Sequence, residues 1–240
     1  YGADMNKYLD SGNEARIKKA YESRDPRLQM AVITPYAQYN GASSGIAHTY
    51  TLRWPYRGSD SAEPFDIRTD TNDKFYYLWR KFVPEGLEQT ERDTYGLDIP
   101  LIRYAEVLLL KAEALNEWGS THESEAIRCV NEVRRRAGHV ELNNATYPAT
   151  KVNGQSDLRE RIRNEYYWEI GGEDSMYFHE LRWGTWKDKK FDNNRNGLMQ
   201  MWGETTYTWY WLGDQCWSWP IPAKEMEMNS NLEQNEGWIN

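Results

Sequence analysis

Between residues 98 and 138 the apolar positions recur on a helical period. Leu101, Ala105, Leu108, Ala112 and Leu115 follow one another at intervals of four, three, four and three residues, laying an apolar stripe along a helix predicted over Leu101–Trp118. Asp98 is placed to cap this helix, Pro100 falls in its first turn where a missing N–H has no helical partner, and Gly119 ends it. Ser120 and Glu123 have capping-box spacing, and Ala126, Val130, Val133 and Ala137 repeat the stripe on a second helix, Glu123–Ala137, before Gly138. So short a turn makes the two helices an antiparallel hairpin, and alanines on both stripes allow close approach. One such pair cannot bury both its faces, so further helices are expected to cover it.

Upstream, Ser11 and Glu14 form another capping box and predict a short helix that stops before Asp25-Pro26, after which Gln29–Thr34 reads as extended. From Pro35 to Asp73 helical periodicity disappears among Gly, Ser, Pro and Asp, so this stretch reads as a long loop region, and its rings argue against disorder. Phe75–Val83, ended by Pro84, reads as a buried extended segment. Beyond Gly154, Leu158, Ile162, Tyr166 and Ile170 share a face of a helix that begins at Ser156 and stops at Gly171-Gly172. Met176–Trp183 gives a short further helix, completing two antiparallel pairs. Later, Tyr207, Trp209 and Trp211 alternate with their neighbours before Gly213-Asp214, the pattern of a β-hairpin. A tail with Pro220, Pro222 and Gly237 is expected to run over the helices, pinned by Trp238. The predicted fold is mostly α, with tetratricopeptide-like antiparallel helix pairs, long aromatic-rich loops and a short β-hairpin. The chain reads as one unit: a helix and ligand-loop region over 1–97, a helical repeat core over 98–183, and an irregular aromatic segment over 184–240.

Charge narrows the function. A formal net charge of -8 and a pI near 5.2 argue against nucleic acid, which needs clustered Lys and Arg. No apolar run approaches the roughly 18 residues that cross a bilayer. Cys129 and Cys216 lack any close spacing, and Cys129, on a predicted helix, is expected to be buried, not bridged. The chain has 12 Trp and 17 Tyr against 5 Phe, a balance that favours rings with a polar handle, suited to interfaces and ligand surfaces.

Candidate chemistry follows. Glu106 with Glu113, and Glu165 with Glu169, are carboxylates at helical spacing, but Arg103 and Arg161 lie one turn before them and read as surface ion partners. Glycoside hydrolysis needs two carboxylates facing across a cleft, so neither pair reads as catalytic. His48, His122, His139 and His179 show no metal-ligand spacing. Asp192, Asn194, Asn196 and Gly197 match half of a calcium loop, yet Gly203 stands where a bidentate Glu is required, so the stretch reads as an Asn-rich turn. No metal or cofactor is expected. What remains is aromatic surface chemistry in the loop region. Tyr36, Tyr39, Tyr50, Trp54 and Tyr56 offer flat faces for sugar C–H patches, with Arg53, Arg57, Gln38 and Asn40 as polar partners.

Four blocks carry a family resemblance. RYAEVLLLKAEALNEWG with EAIRCVNEVRRRAG, then DPRL at Asp25–Leu28, the stretch Arg159–Trp183, and the closing WPIPAKEMEMNSNLEQNEGW together resemble the C-terminal half of the SusD/RagB family. These are surface lipoproteins that capture glycans for outer-membrane importers of Bacteroidetes-type bacteria. The resemblance implies a longer protein carrying a signal peptide and a lipid-bearing Cys, anchored on the extracellular face of the outer membrane. It also implies non-catalytic binding of oligosaccharide or polysaccharide, and as partners a SusC-like TonB-dependent transporter and the N-terminal half of the same protein. Peptide import within the same family is the nearest alternative, followed by a glycoside hydrolase of helical-barrel type and a purely structural helical adaptor. One departure stands out: where relatives have Arg and Asp, this chain has Met176 and His179, so an ion pair of the family is expected to be missing.

Overall fold

The computed structural model describes residues 19, 21–22, 24–34, 36–43, 45–56, 66–70, 78–86, 96, 98–173, 175–191 and 210–238; for Ser43, residues 53–56 and 66–70, Lys189 and Lys190 it describes the backbone alone. The chain divides into two compact units, Tyr8–Met176 and a second built on Tyr177–Asn240. The first holds helix α1 (Pro26–Ala31), the strands β1 (Val32–Ile33), β2 (Gln38–Ser43), β3 (Ile46–Tyr56), β4 (Asp66–Asp70) and β5 (Leu78–Trp79), and the helices α2 (Tyr104–Trp118), α3 (Glu123–Arg136) and α4 (Gln155–Ile170). Helix α5 (Ser175–Arg182) runs across the boundary, and α6 (Trp186–Lys190) and α7 (Ala223–Met228) belong to the second unit. The fold is mostly helical and built on antiparallel helix pairs, as the spacing predicts.

Helix α2 packs against both α3 and α4. Leu108, Ala112 and Leu115 on α2 are buried, as are Ala126, Val130 and Val133 on α3 and Leu158, Ile162, Tyr166 and Ile170 on α4. The start of α2 departs from expectation. The helix begins at Tyr104, not Leu101; Arg103 is extended (φ -116, ψ 152), Asp98 caps nothing, and Leu101 is 89% exposed. The reason is Arg103, whose guanidinium is drawn to carboxylates at the far end of α4, which fixes the chain direction before the first turn. The expected capping box also gives way. Ser120–His122 forms a 3-10 turn, and α3 follows from His122 without a side-chain cap. Asn131 on α3 then holds the next connection: its amide nitrogen donates to the Leu142 carbonyl (3.2 Å) and its oxygen accepts from the Leu142 N–H (2.7 Å).

Two expectations about the first third of the chain are corrected. Gln29–Ala31 is helical, not extended, because Asp25 caps α1 by accepting from the Arg27 N–H (2.9 Å) and Pro26 sits at the first helical position; the chain becomes extended only at Val32. Among the described residues between Pro35 and Asp73, where a loop is expected, most belong to a sheet. β2 and β3 pair antiparallel from Gln38↔Thr51 to Ser43↔Ile46, β4 pairs parallel with β3, and β1 pairs separately with β5. Gly45, at φ +76, supplies the left-handed residue of the β2–β3 connection. Ile33, Tyr39 and Leu52 form the core of these strands, with Ala37, Tyr50, Leu78 and Val83 packed against them. The ladder of β3 with β4 is irregular between Arg53 and Tyr56, where Pro55 has no N–H to donate.

In the second unit, Trp186, Phe191 and Trp211 meet edge to face at centroid distances of 4.8, 5.7 and 5.2 Å, with Trp217 5.0 Å from Trp211. This cluster draws Trp211 inward, so Gly213 leads into a 3-10 turn over Asp214–Trp217 and not into the expected hairpin; Tyr207 and Trp209 lie outside the described residues. Trp238 ties the end of the chain to the Asp214–Trp217 turn, its indole N–H donating to the carbonyls of Gln215 (3.2 Å) and Ser218 (2.9 Å). The departure at His179 has its own solution: Arg182 Nε donates to His179 Nδ1 at 3.1 Å, and Met176 is buried. Both cysteines are free, and Cys129 is buried. The Ser11–Glu14 capping box and the Asp192–Gly197 turn lie outside the described residues, and no helix among those described is long and apolar enough to cross a membrane.

Candidate functional site

An open, polar cleft of about 300 Å³ lies where the end of α1 meets β2, lined by Gln29, Thr34, Tyr36, Gln38 and Arg80, with Tyr21 and Glu22 also in its lining. Its floor is held in an uncommon backbone conformation. Tyr36 sits at φ +62, a left-handed geometry that a bulky residue adopts only when its surroundings over-determine it. Here the Tyr36 N–H donates to the Leu52 carbonyl (2.8 Å), and the Ala37 N–H to the Thr34 carbonyl (2.9 Å). Arg80 fixes the wall. Its guanidinium donates to Glu85 Oε1 (2.6 Å), to the Gln29 carbonyl (3.1 Å) and to the Gln38 carbonyl (2.6 Å), so one planar fork joins α1, β2 and the 80–86 turn. Amide, hydroxyl and carbonyl groups beside rings are what a hydroxyl-rich ligand needs.

Of the candidate ligand aromatics and arginines with described side chains, Tyr36 is the one that lines this cleft, and it is only 8% exposed. Tyr39 is 4% exposed and donates its hydroxyl proton to the Pro84 carbonyl (2.7 Å), which makes it an anchor of the sheet core. Tyr50 is paired with Tyr39 across the ladder, half-buried, and edge-on to His48 at 6.4 Å. Arg53, Trp54 and Tyr56 lie in β3 with side chains outside the description, and Arg57 is outside the described residues. Gln38 and Asn40 occupy the exposed face of β2, and the Asn40 N–H reaches Glu85 Oε2 at 3.3 Å. Sequence reading missed Arg80: Glu85 is five residues away, but the partners that tie it to α1 and β2, Gln29 and Gln38, lie 51 and 42 residues away.

Joining α1, α3 and α4 is a buried charge network, and it overturns the reading of the carboxylates as surface pairs. Glu165 is fully buried between two arginines, Arg27 (2.8 Å) and Arg134 (3.1 Å). Glu169 is contacted by Arg27 (3.1 Å), Arg103 (2.9 Å) and Arg136. Arg103 also bonds Glu173 (2.7 Å), which Lys81 contacts as well, and Arg161 serves Asp157 (2.9 Å), not Glu165. Arg27 further grips Asp25 at 2.6 Å, so the DPRL segment is bolted to α4. Glu106 is buried too. Carboxylates neutralised by two or three cations inside a helix bundle are not the cleft-facing acid and base of a hydrolase. Among the described residues no cluster of His, Cys, Asp and Glu is arranged to hold a metal ion.

These partners shift proton affinities in opposite senses. Burial raises Glu169, but hydrogen bonds from Arg103 and Arg27 and the charge of Arg136 outweigh it and hold the carboxyl below its ordinary value of 4.5. Burial likewise raises Asp25, and its bonds to Arg27 again prevail and lower it from 3.8. For Glu165 burial dominates over both arginines and pushes the carboxyl up. A lowered carboxyl gives stability that is present above its unfolded-state pKa and lost as pH falls through the folded one; a raised carboxyl does the reverse. Urea melts at descending pH are therefore expected to show stability lost below the ordinary values of Asp25 and Glu169. Glu169→Gln should flatten this acid limb, whereas Glu165→Gln should not; an unchanged limb in Glu169→Gln would remove Glu169 as its source.

Comparison with known proteins agrees with this architecture. The sequence matches the SusD family over residues 4–238. It is similar to SusD-like protein P38 of Formosa agariphila, 32% identical over 139 residues that make up 58% of this chain and 24% of that protein. It is also similar to the starch-binding protein SusD of Bacteroides thetaiotaomicron, 28% identical over 161 residues, 67% of this chain and 25% of that protein. A solved SusD-like protein from Bacteroides fragilis aligns with a TM-score of 0.58 at 22% identity, covering 92% of this chain and 40% of the other. The chain thus spans about a quarter of the length of the curated relatives it matches. With the helical hairpin, the DPRL anchor and the closing WPIP segment all inside the matched residues, the chain belongs to the SusD family.

Proposed function

We propose that this chain is part of a non-catalytic glycan receptor, and that it holds oligosaccharide or polysaccharide for delivery to a SusC-like, TonB-dependent importer. The receptor is placed on the extracellular face of the outer membrane, lipid-anchored through a region outside these 240 residues, with the N-terminal half of the same protein as its first partner. The observation that carries the reading is the polar cleft floored by Tyr36 and continuous with the β2–β3 hairpin. Family membership and the name of the starch-binding relative support it.

In this reading Tyr36, Tyr50, Trp54 and Tyr56 form a shallow platform on a sheet that Tyr39 anchors from its core, with Arg53 and Arg57 as polar partners that matter more for acidic than for neutral sugars. Stacking on an aromatic ring contributes about 1–2 kcal/mol, so Trp54→Ala should weaken binding about tenfold. Calorimetric titration of both proteins with a panel of oligosaccharides and peptides tests this, with thermal melting as the control for folding. Equal affinity in the two proteins would move the site away from Trp54. Peptide binding without glycan binding would replace the ligand class, and release of reducing ends by the chain would overturn the non-catalytic reading.

A further inference from the structure

We propose that Arg80 and Glu85 are specificity-determining residues of the cleft: together they occupy the outer edge of β2 and so exclude extended peptides, which bind a sheet by adding a strand. The inference rests on the reading of the cleft as the ligand site and deepens it, because it sets saccharide apart from the nearest rival ligand. It starts from the register of β2. Among the described residues the sheet has the order β2–β3–β4, with β2 at one end. The Ala37 carbonyl accepts from the Leu52 N–H of β3 (3.0 Å) and Tyr39 is paired with Tyr50, so the odd-numbered positions turn their main-chain groups toward β3. Gln38 and Asn40 turn theirs the other way, to the edge.

The Gln38 carbonyl and the Asn40 N–H are both taken. Arg80 Nη2 donates to the Gln38 carbonyl at 2.6 Å, the Asn40 N–H donates to Glu85 Oε2 at 3.3 Å, and Glu85 Oε1 accepts from Arg80 Nε at 2.6 Å. The carbonyl of one residue and the N–H two residues on are the two groups that a single residue of an added parallel strand engages. Here a guanidinium N–H stands in for that residue's amide, and a carboxylate oxygen for its carbonyl. An added strand would lie about 4.7–4.9 Å from β2, in the space these two side chains fill. Strand addition draws its affinity from main-chain bonds, so an edge whose groups are already bonded gives an extended peptide little to hold. A saccharide does not depend on them. It bonds side-chain amides and hydroxyls, and Gln29 and Gln38, both exposed, remain in the lining of the cleft.

The pair is held in place from both ends of its turn. The N–H groups of Arg80 and Lys81 donate to the Ala31 carbonyl (2.9 and 3.1 Å), and the Val83 N–H closes the turn on the Arg80 carbonyl (3.1 Å). Arg80 Nη1 adds a bond to the Gln29 carbonyl at the end of α1 (3.1 Å). One residue before Glu85, the Pro84 carbonyl accepts the hydroxyl proton of Tyr39 (2.7 Å), whose ring lies in the core of the same sheet. The buried tyrosine thus sets the position of the carboxylate that closes the edge.

The test combines amide hydrogen exchange with calorimetric titration of the 240-residue chain, using a short capped peptide of alternating Thr and Val and a panel of neutral oligosaccharides. In the wild type the Asn40 amide is expected to exchange slowly, and the peptide to leave that exchange unchanged. Replacing Arg80 and Glu85 together by Ala opens the edge without leaving one charge of the pair alone, and two main-chain bonds regained should raise peptide affinity about tenfold. Thermal melting of the double variant reports whether it folds. Glu85→Ala alone, which keeps the Arg80 bonds to Gln29 and Gln38, should speed exchange at Asn40. Peptide that protects the Asn40 amide in the wild type would overturn the proposal, as would a folded double variant with no gain in peptide affinity, or an Asn40 amide that Glu85→Ala leaves unchanged. The oligosaccharide arm is read separately: no glycan bound, with every peptide result as expected, would support the closed edge and overturn the saccharide reading of the cleft.

Discussion

Replacing Arg27 by Met is expected to destabilise the unit over Tyr8–Met176 by about 3–5 kcal/mol, the range found when one partner of a buried ion pair is removed. Arg27 sits within reach of three carboxylates, Asp25, Glu165 and Glu169, and its own side chain is almost wholly buried. Without it Glu165 keeps only Arg134, in a position where burial already disfavours its charge. Loss of the network also loosens α1, which carries the lining residue Gln29, from α4. Exchanging Arg27 and Glu165 together for Met and Leu should recover only part of the loss, because Arg134 is then left buried without its carboxylate. Urea unfolding measures both variants. A cost below about 1 kcal/mol for the single substitution would reduce the network to the level of a surface ion pair.

Leu108→Ala is expected to cost about 2–5 kcal/mol, from lost burial and the cavity left between α2 and its neighbours. Leu101→Ala, made on the same predicted stripe, should cost close to nothing, since Leu101 precedes the helix and is exposed. Thermal or urea unfolding of the two variants side by side gives the contrast. Similar costs for both would place Leu101 inside the core and restore the longer helix; a negligible cost for Leu108 would take the hairpin out of the centre of the fold.

That contrast shows where sequence reading holds. The stripes of α3 and α4 are legible because each is a local pattern of at least three turns, and tertiary packing uses the same face that the spacing marks. Boundaries are less legible when a distant residue decides them: Arg103 looked like a partner for Glu106 one turn away, and its partners are Glu169 and Glu173, 66 and 70 residues on. Arg27 and Glu169 are separated by 142 residues, so no spacing rule brings them together. The sheet was hidden for another reason. Gly41, Gly45 and Pro55 punctuate β2 and β3 as loops are punctuated, although they serve pairing, the turn and a register irregularity. Of the candidate ligand residues, the aromatic content was visible and the burial was not, which is why Tyr39 turned out to anchor the core.

The buried thiol of Cys129 has a consequence for handling and for measurement. Burial pushes its pKa up, so the reactive thiolate is suppressed at neutral pH and shielded from disulfide exchange. Cys216 is half-buried in the other unit, so a thiol reagent meets the two sulfurs under different conditions. Cys216 is expected to react in the folded chain and Cys129 only when α3 lifts from its neighbours, so a slow phase of thiol labelling would serve as an intrinsic clock for opening of the helical core.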